Sequence, residues 1–478
     1  MGGFFGVASR RDALVDVFYG TDYHSHLGTH RAGIASYDPE IGLQREIHDI
    51  ENSPFRTRFE HIFDDMSGIS AIGCVSDYDP QPLLLRSKFG TYALCFIGII
   101  TNREALIQEV LKEPSAHFDA MTGGQVNNVE LIGALMNEKD TLVEGLRHAQ
   151  EKIEGTASIL ILQDDGTLIA ARDKMGRLPV FVGENEDGMC VSFESFPYRK
   201  LGYTPTKELG PGEIVSVSNN RMITLVPPRD TMKICAFLWT YYGYPNSIYE
   251  GSGVEKSRTT NGEILAKNDR ENGGIPAVDY VGGVPDSGLA YGQGYAYEAG
   301  LPFGRAIIKY TPTWSRSFTP SNQKERNRVA HMKQLPVTDY IEGKDLLFVD
   351  DSIVRGTQLH ETVDFLYRNG AKSVHMRSAS PPVLFGCKYL NFSRSNDDME
   401  LLARRVIDEL EGEEGLNHLD EYLDGTTERG RKMRDVIAEK FHFASLEYQT
   451  LEGTIEAIGL PRCKLCTYCW TGEEDDPQ

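Results

Sequence analysis

No run in this chain of 478 residues approaches the ~18 consecutive apolar residues that a membrane-spanning helix needs, so no membrane role is expected. A secretory leader is missing as well: no basic segment precedes an apolar stretch with a small-residue cleavage site. Gly2 is present, but Gly6 stands where a myristoylation signal wants Ser or Thr. Basic residues are scarce. Forty-nine Lys and Arg face 70 Asp and Glu, a formal net charge of −21, which argues against a general nucleic-acid binder because phosphate contacts need a positive surface. A small anionic substrate stays compatible, since a local cation or a metal offsets the global field. Cysteine is sparse too, at eight residues. That is too few for a disulfide scaffold in a chain this long, and points to a reducing compartment, the cytoplasm. Neither a solenoid repeat nor a low-complexity segment appears beyond the acidic end GEEDDPQ.

What is there suggests about two or three domains on length alone. Residues 1–230 read as strand-rich, with apolar runs such as TYALCFIGII, ASILILQ and TLIAARD between Gly, Asp and Asn turns. NREALIQEVL and VELIGALMNE interrupt them with apolar residues at helical spacing. VPPRDTM, residues 226–232, reads as a connector. From 231 to 478 strand and helix alternate: AVDYVGGVPDSG, a small-residue helix, FGRAIIKY, DLLFVDDS, LHETVDFLYRNG and KSVHMRSAS. This alternation predicts a parallel sheet with helices on its faces. From about 396 the chain reads as charged helix up to a cysteine-rich end, where Cys463, Cys466 and Cys469 crowd together and suggest metal or cluster ligation.

The most informative stretch is DLLFVDDSIVRGTQ, residues 345–358. A buried strand ends in Asp350 and Asp351. A loop of Ser352, Ile353, Val354, Arg355, Gly356 and Thr357 then opens a helix with Leu359, Val363 and Leu366 on one face. Backbone N–H groups at a helix start make an anion site, and Gly356 lets the backbone approach a phosphate. Paired acids beside such a loop suit ribose hydroxyls or Mg²⁺. An ordinary capped strand end would use Asp and Ser as well, but not this whole string.

VDDSIVRGT resembles the phosphoribosyl-pyrophosphate (PRPP) loop of type I phosphoribosyltransferases, in the wording of the glutamine PRPP amidotransferase family, iron–sulfur branch. The resemblance runs almost end to end. GGVPDSGLA resembles the family's metal-contacting turn, which implies Ser287 as a Mg²⁺ contact beside Asp350 and Asp351. RDKMGRLPVFVG, ELGPGEIV and NGAKSVHMRSASPP resemble further family segments. The family implies an N-terminal-nucleophile-type αββα sandwich over residues 1–230, followed by a phosphoribosyltransferase α/β domain over 231–478. It also implies a [4Fe–4S] cluster on Cys235, Cys387, Cys466 and Cys469, with Cys463 as an extra thiol. Zinc is the plainer reading of a CxxC pair taken alone. Cys74, Cys95 and Cys190, in apolar strands, read as buried small residues.

The resemblance breaks at the start. MGGFFG puts Gly2 where the family has the cysteine that attacks glutamine, using its own α-amino group as base. Ser76 in GCVSD replaces the arginine that grips the glutamine carboxylate. Ile97 in FIGI replaces the asparagine that donates to the oxyanion, and Asn128 in NNVE the carboxylate that binds the amine. SHLGTHR, around His26 and Gly28, stands for the family's LQHRGQE. One lost oxyanion donor typically costs about 10²–10³ in rate; losing the nucleophile too leaves no route to a thioester. Cys74 and Cys95 have no free amine to activate them.

The second domain departs less. Lys309, Arg316 and Lys333 match basic positions in and around the mobile loop TPTWSRSFTPSNQKERNRVAHMK, although His331 stands where arginine is usual and Gln358 where threonine is. The resemblance thus implies PRPP and Mg²⁺ binding, with phosphoribosylamine formed from PRPP and ammonia in purine biosynthesis. Without a glutaminase, ammonia comes from solution or a partner protein, in a homo-oligomer or a hetero-oligomer with an active paralogue. The alternative is a non-catalytic PRPP- or nucleotide-binding regulatory paralogue in such a hetero-oligomer. A third reading keeps the transferase chemistry with another nucleophile.

Overall fold

GGFFGVAS forms the strand Gly2–Ser9, buried along its whole length. A strand without an exposed edge or face needs neighbours on every side, and it sits inside a seven-stranded antiparallel sheet between Gly188–Ser192 and Ser70–Ser76. Its two faces meet different layers, as the period of two requires. Phe5 packs against Gly20 of the helix Leu14–Asp22, whereas a Cβ on Gly6 would touch Leu160 and Leu168 of a second, six-stranded antiparallel sheet. That sheet is covered in turn by the helices Asn128–Met136 and Leu142–Lys152, with Leu94, Phe96, Leu131, Leu135 and Leu146 in one core cluster. The layers are therefore helix, sheet, sheet, helix.

In the computed structural model, residues 2–114, 116–310, 334–390 and 397–474 are described. The chain forms two compact units, one on Met1–Ile234 and the other mainly on residues from Cys235. The second unit is built on a four-stranded parallel sheet in the order Tyr280–Gly283, Asp345–Asp350, Ser373–Ser378, Ser445–Tyr448. Helices Val254–Glu271 and Leu289–Ala299 bring Leu265, Tyr291 and Tyr295 to one core cluster. Helices Thr357–Arg368, Leu402–Glu411 and Glu428–Lys440 bring Val363, Val406 and Ile437 to the other.

Two elements differ from the sequence reading. FGRAIIKY supplies a short strand, Ile307–Lys309, but it pairs antiparallel with Gln334–Pro336 outside the parallel sheet. Only Ile307 of its three residues is buried, too little apolar surface for a central strand. Conversely, the stretch read as charged helix contains Ser445–Tyr448, the last strand of the parallel sheet; its SLEY sequence carries one fully buried residue and gave no periodic signal. No helix among the described residues is long and apolar enough to cross a membrane.

Candidate functional site

The strand Asp345–Asp350 delivers its two acids to the carboxyl edge of the parallel sheet, where such folds hold ligands. Gly356 turns the loop with φ of +81°, a left-handed conformation open to glycine at little cost, and precedes the 12-residue helix Thr357–Arg368. Among the described residues, the backbone N–H groups of Ser352, Ile353, Val354, Gly356 and Thr357 are given to no protein acceptor. Such a row of free donors at a helix start is an anion cradle. The loop is anchored from outside: the Val354 carbonyl accepts from Leu402 N at 2.8 Å, the Arg355 carbonyl from Arg405 Nη2 at 2.9 Å, and Arg355 pairs with Glu400 at 2.6 Å. Ile353 is buried in the core beneath it.

The acid pair is charged with cost. Burial pushes the Asp350 carboxyl well up, and the neighbouring Asp351 charge adds to it. Burial also raises Asp351, against Asp350, Arg258, Ser352 and Ser287, which pull it down. Ser352 Oγ donates to Asp351 Oδ2 at 3.2 Å. Arg258 is the residue that sequence reasoning missed. Buried in the helix Val254–Glu271, it spends its donors on the carbonyls of Trp239, Tyr241 and Gly243, which fixes one positive charge near the acids. Lys309 Nζ reaches Asp286 of the GGVPDSG turn at 3.3 Å. Arg316 and Lys333 lie outside the described residues.

In the first unit, Ser76, Ile97 and Asn128 come together although they stand on three elements. They line one cavity of about 190 Å³ with Asp79, Gln81 and Phe96 among its other walls. Gly2 is the register partner of Ser76, and its missing side chain would point at this wall. There is no room for one. A Cβ at Gly2 would lie 2.4 Å from the Val75 carbonyl oxygen and 2.9 Å from Ile97 Cδ1. Ile97 is buried and apolar, so its side chain donates no hydrogen bond into the cavity. Asn128 donates through Nδ2 to Asp79 Oδ2 at 2.8 Å, leaving its buried Oδ1 without a partner. Burial pushes the Asp79 carboxyl up. The lining side chains include no thiol, imidazole or amine, so they offer no cysteine–amine pair. No local motif marks Asp79, which reaches the cavity only through the fold. His26, from the divergent SHLGTHR segment, sits 3.4 Å from Glu194.

Cys235, Cys387, Cys466 and Cys469 also converge. The two-residue strands Ile234–Cys235 and Leu465–Cys466 pair with each other, and the Cys469 carbonyl accepts from Leu384 N and Phe385 N at 3.0 and 3.1 Å. Burial holds the Cys235 thiol well up, with Cys466 and Cys387 adding to it. A hydrogen bond with Cys387, then burial, does the same to Cys469. Among the described residues, no three of these four sulfurs lie within 4.8 Å of one another. Cys463 is exposed; Cys74, Cys95 and Cys190 are buried.

A glutamine amidotransferase domain model matches residues 69–197. The chain is 28% identical to the amidophosphoribosyltransferase of Methanocaldococcus jannaschii, over 99% of this chain and 97% of that protein. It is 31% identical to the chloroplastic amidophosphoribosyltransferase 1 of Arabidopsis thaliana, over 82% of this chain and 69% of that one. Its fold matches the glutamine PRPP amidotransferase of B. subtilis, solved with ADP and GMP, with a TM-score of 0.82 and 26% identity over 98% of this chain and 96% of that one. The two units are accordingly an N-terminal-nucleophile-type glutamine amidotransferase fold and a phosphoribosyltransferase fold.

Proposed function

The chain belongs to the amidophosphoribosyltransferase family, and on that premise we propose that its second unit makes phosphoribosylamine from PRPP and ammonia while its first has lost the glutaminase half-reaction. The observation that carries this reading is the contrast between the two sites. Around Asp350 and Asp351 the VDDSIVRGT loop is kept, and among the described residues the amides of Ser352, Ile353, Val354, Gly356 and Thr357 are given to no protein acceptor; around Gly2 there is neither a nucleophile nor space for one. The amides of Ser352, Ile353, Val354, Gly356 and Thr357 would hold the ribose 5-phosphate, and the two carboxylates would orient the ribose hydroxyls. Lys309, beside the Asp286 turn, would face the departing pyrophosphate. Ammonia would enter from solution or from a partner protein in the cytoplasm.

The donor sets fit two further groups. Asp350, Asp351 and Ser287 offer hard oxygens and two carboxylates whose ionisation costs least beside a cation, a fit for Mg²⁺. When bound, Mg²⁺ neutralises charge on the pyrophosphate leaving group. The four convergent cysteines fit a [4Fe–4S] cluster better than one zinc. A tetrahedral zinc at about 2.3 Å from each thiolate holds its sulfurs about 3.8 Å apart, closer than any three of these are. Such a cluster would tie Cys235 at the start of the unit to Cys466 and Cys469 at its end. Homo-oligomers, or mixed oligomers with a glutaminase-active paralogue, complete the proposal, and purine nucleotides are the effectors to try.

The test is pyrophosphate release from PRPP and Mg²⁺ with either ammonium chloride or glutamine as nitrogen donor. Release with ammonium alone is expected. Release with glutamine would overturn the lost glutaminase. Binding of PRPP without release from either donor would favour a non-catalytic regulatory paralogue, and no binding at all would sink both readings.

A further inference from the structure

The first unit carries a group of side chains that the chemistry above does not use. Glu46 and His48 alternate on the strand Gly42–Asp49, so they share a face, while Ile47 between them packs into the hydrophobic core. This strand is the last of the seven-stranded sheet and, among the described residues, pairs only with Arg31–Asp38. His61 comes from the covering layer, between the helix Phe55–Phe59 and the turn Ile62–Asp65. Its Nε2 lies 2.6 Å from Glu46 Oε1, and His48 Nε2 is hydrogen-bonded to the same oxygen. The ligand atoms of all three residues lie within 4.8 Å of one another, a convergence found in no other such group of three among the described residues.

Packing fixes this arrangement. The edge of the buried Phe59 ring meets the His48 ring, with centroids 4.9 Å apart at 77°, and the two imidazoles meet at 5.7 Å and 74°. Both nitrogens therefore aim at one carboxylate oxygen from two different elements. The site stays open to solvent, with His48 and His61 side chains 31% and 43% exposed. Two imidazoles and a carboxylate form the borderline donor set that selects zinc and its neighbours over Mg²⁺ or Ca²⁺. Three protein ligands leave a fourth position for water.

We propose that Glu46, His48 and His61 form a site for a divalent transition ion, Zn²⁺ in the first instance, clipping the sheet's edge strand to its covering helices. The ion would displace the Nε2···Glu46 hydrogen bonds; each imidazole would coordinate through Nε2 as the neutral ring with its one proton on Nδ1, and any second ring proton would pass to solvent. The site lies within the first unit and does not depend on PRPP chemistry.

The test uses the full chain stripped of metal and titrated with Zn²⁺ against a chromophoric chelator, then with Co²⁺. Because the cysteine set would also take metal on the proposed reading, the readout is the difference between wild type and the variants His61→Ala and Glu46→Gln. His61 is half-exposed, and Glu46→Gln keeps shape, so both variants should fold. Wild type is expected to hold one more equivalent of Zn²⁺ than either variant, or to hold it at least about 10–100-fold more tightly, the range seen for lost support of a metal site. The matching Co²⁺ should show weak visible bands without thiolate charge transfer. Equal stoichiometry and affinity in all three proteins would overturn the proposal. So would Co²⁺ spectra in which every bound ion shows thiolate charge transfer.

Discussion

On the proposed reading, a cysteine placed at position 2 should not give the chain a glutaminase. Gly2→Ala isolates the first obstacle, because it adds only a Cβ. That atom would sit 2.4 Å from the Val75 carbonyl oxygen and 2.9 Å from Ile97 Cδ1, against ordinary contacts of about 3.5 Å or more between such atoms. Backbone on one side and a buried side chain on the other must give by roughly an ångström. Overpacking of this kind costs about 1–3 kcal/mol. Thermal unfolding of the first unit should therefore begin several degrees lower, at about 2–4 °C per kcal/mol for a unit of this size. Gly2→Cys inherits the same clash and gains a thiol facing Ile97, where no donor meets the oxyanion. On the proposed reading, that absence alone accounts for about 10²–10³ in rate, and Ser76 and Asn128 would remove further contacts. Glutamate release from glutamine and covalent capture by a glutamine-like diazoketone should both be absent in the single variant. An unchanged melting curve for Gly2→Ala would refute the steric argument. Robust glutamine hydrolysis by Gly2→Cys would refute the claim that the whole pocket has gone.

Asp350→Asn and Asp351→Asn should weaken PRPP binding about 10- to 100-fold, the worth of a charge-assisted hydrogen bond, read by titration calorimetry. Because burial and the neighbouring acid raise Asp350, Asp350→Asn should at the same time raise the melting temperature of the ligand-free protein; a fall would contradict the electrostatic reading. Cys469→Ser should abolish bound iron, acid-labile sulfide and visible absorbance, whereas Cys463→Ser, at an exposed position, should leave them intact. His24 is fully buried between the carbonyl of Gly20 and the N–H of Glu194, and burial lowers it to about 4. A lowered histidine stabilises fully above its unfolded value near 6.5 and loses that contribution as pH falls toward 4. The loss by pH 5 is about 2 kcal/mol relative to pH 8, and a histidine-resolved NMR titration placing His24 above pH 6 would exclude it.

The transferase loop was legible in the sequence because its parts are consecutive. A strand, two acids, a glycine turn and a helix start make an anion cradle out of one stretch of chain, whatever surrounds it. The glycine at position 2, on which the proposed loss rests, was equally legible, since a glycine carries no nucleophile in any fold. Cys235, Cys387, Cys466 and Cys469 were matched through family resemblance, but their approach rests on the pairing of Ile234–Cys235 with Leu465–Cys466, more than two hundred residues apart. Tertiary structure alone joined Ser76, Ile97 and Asn128 to Asp79 around one cavity, set the fixed charge of Arg258 near the acid pair, and recruited Ser445–Tyr448 as the last strand. It alone set His61 against Glu46 and His48. These meetings depend on strand register and on which helix covers which face. A one-residue slip would turn Glu46 and His48 to the other side of their sheet. Local sequence fixes what a residue can do chemically; pairing and packing over long separations decide which residues do it together.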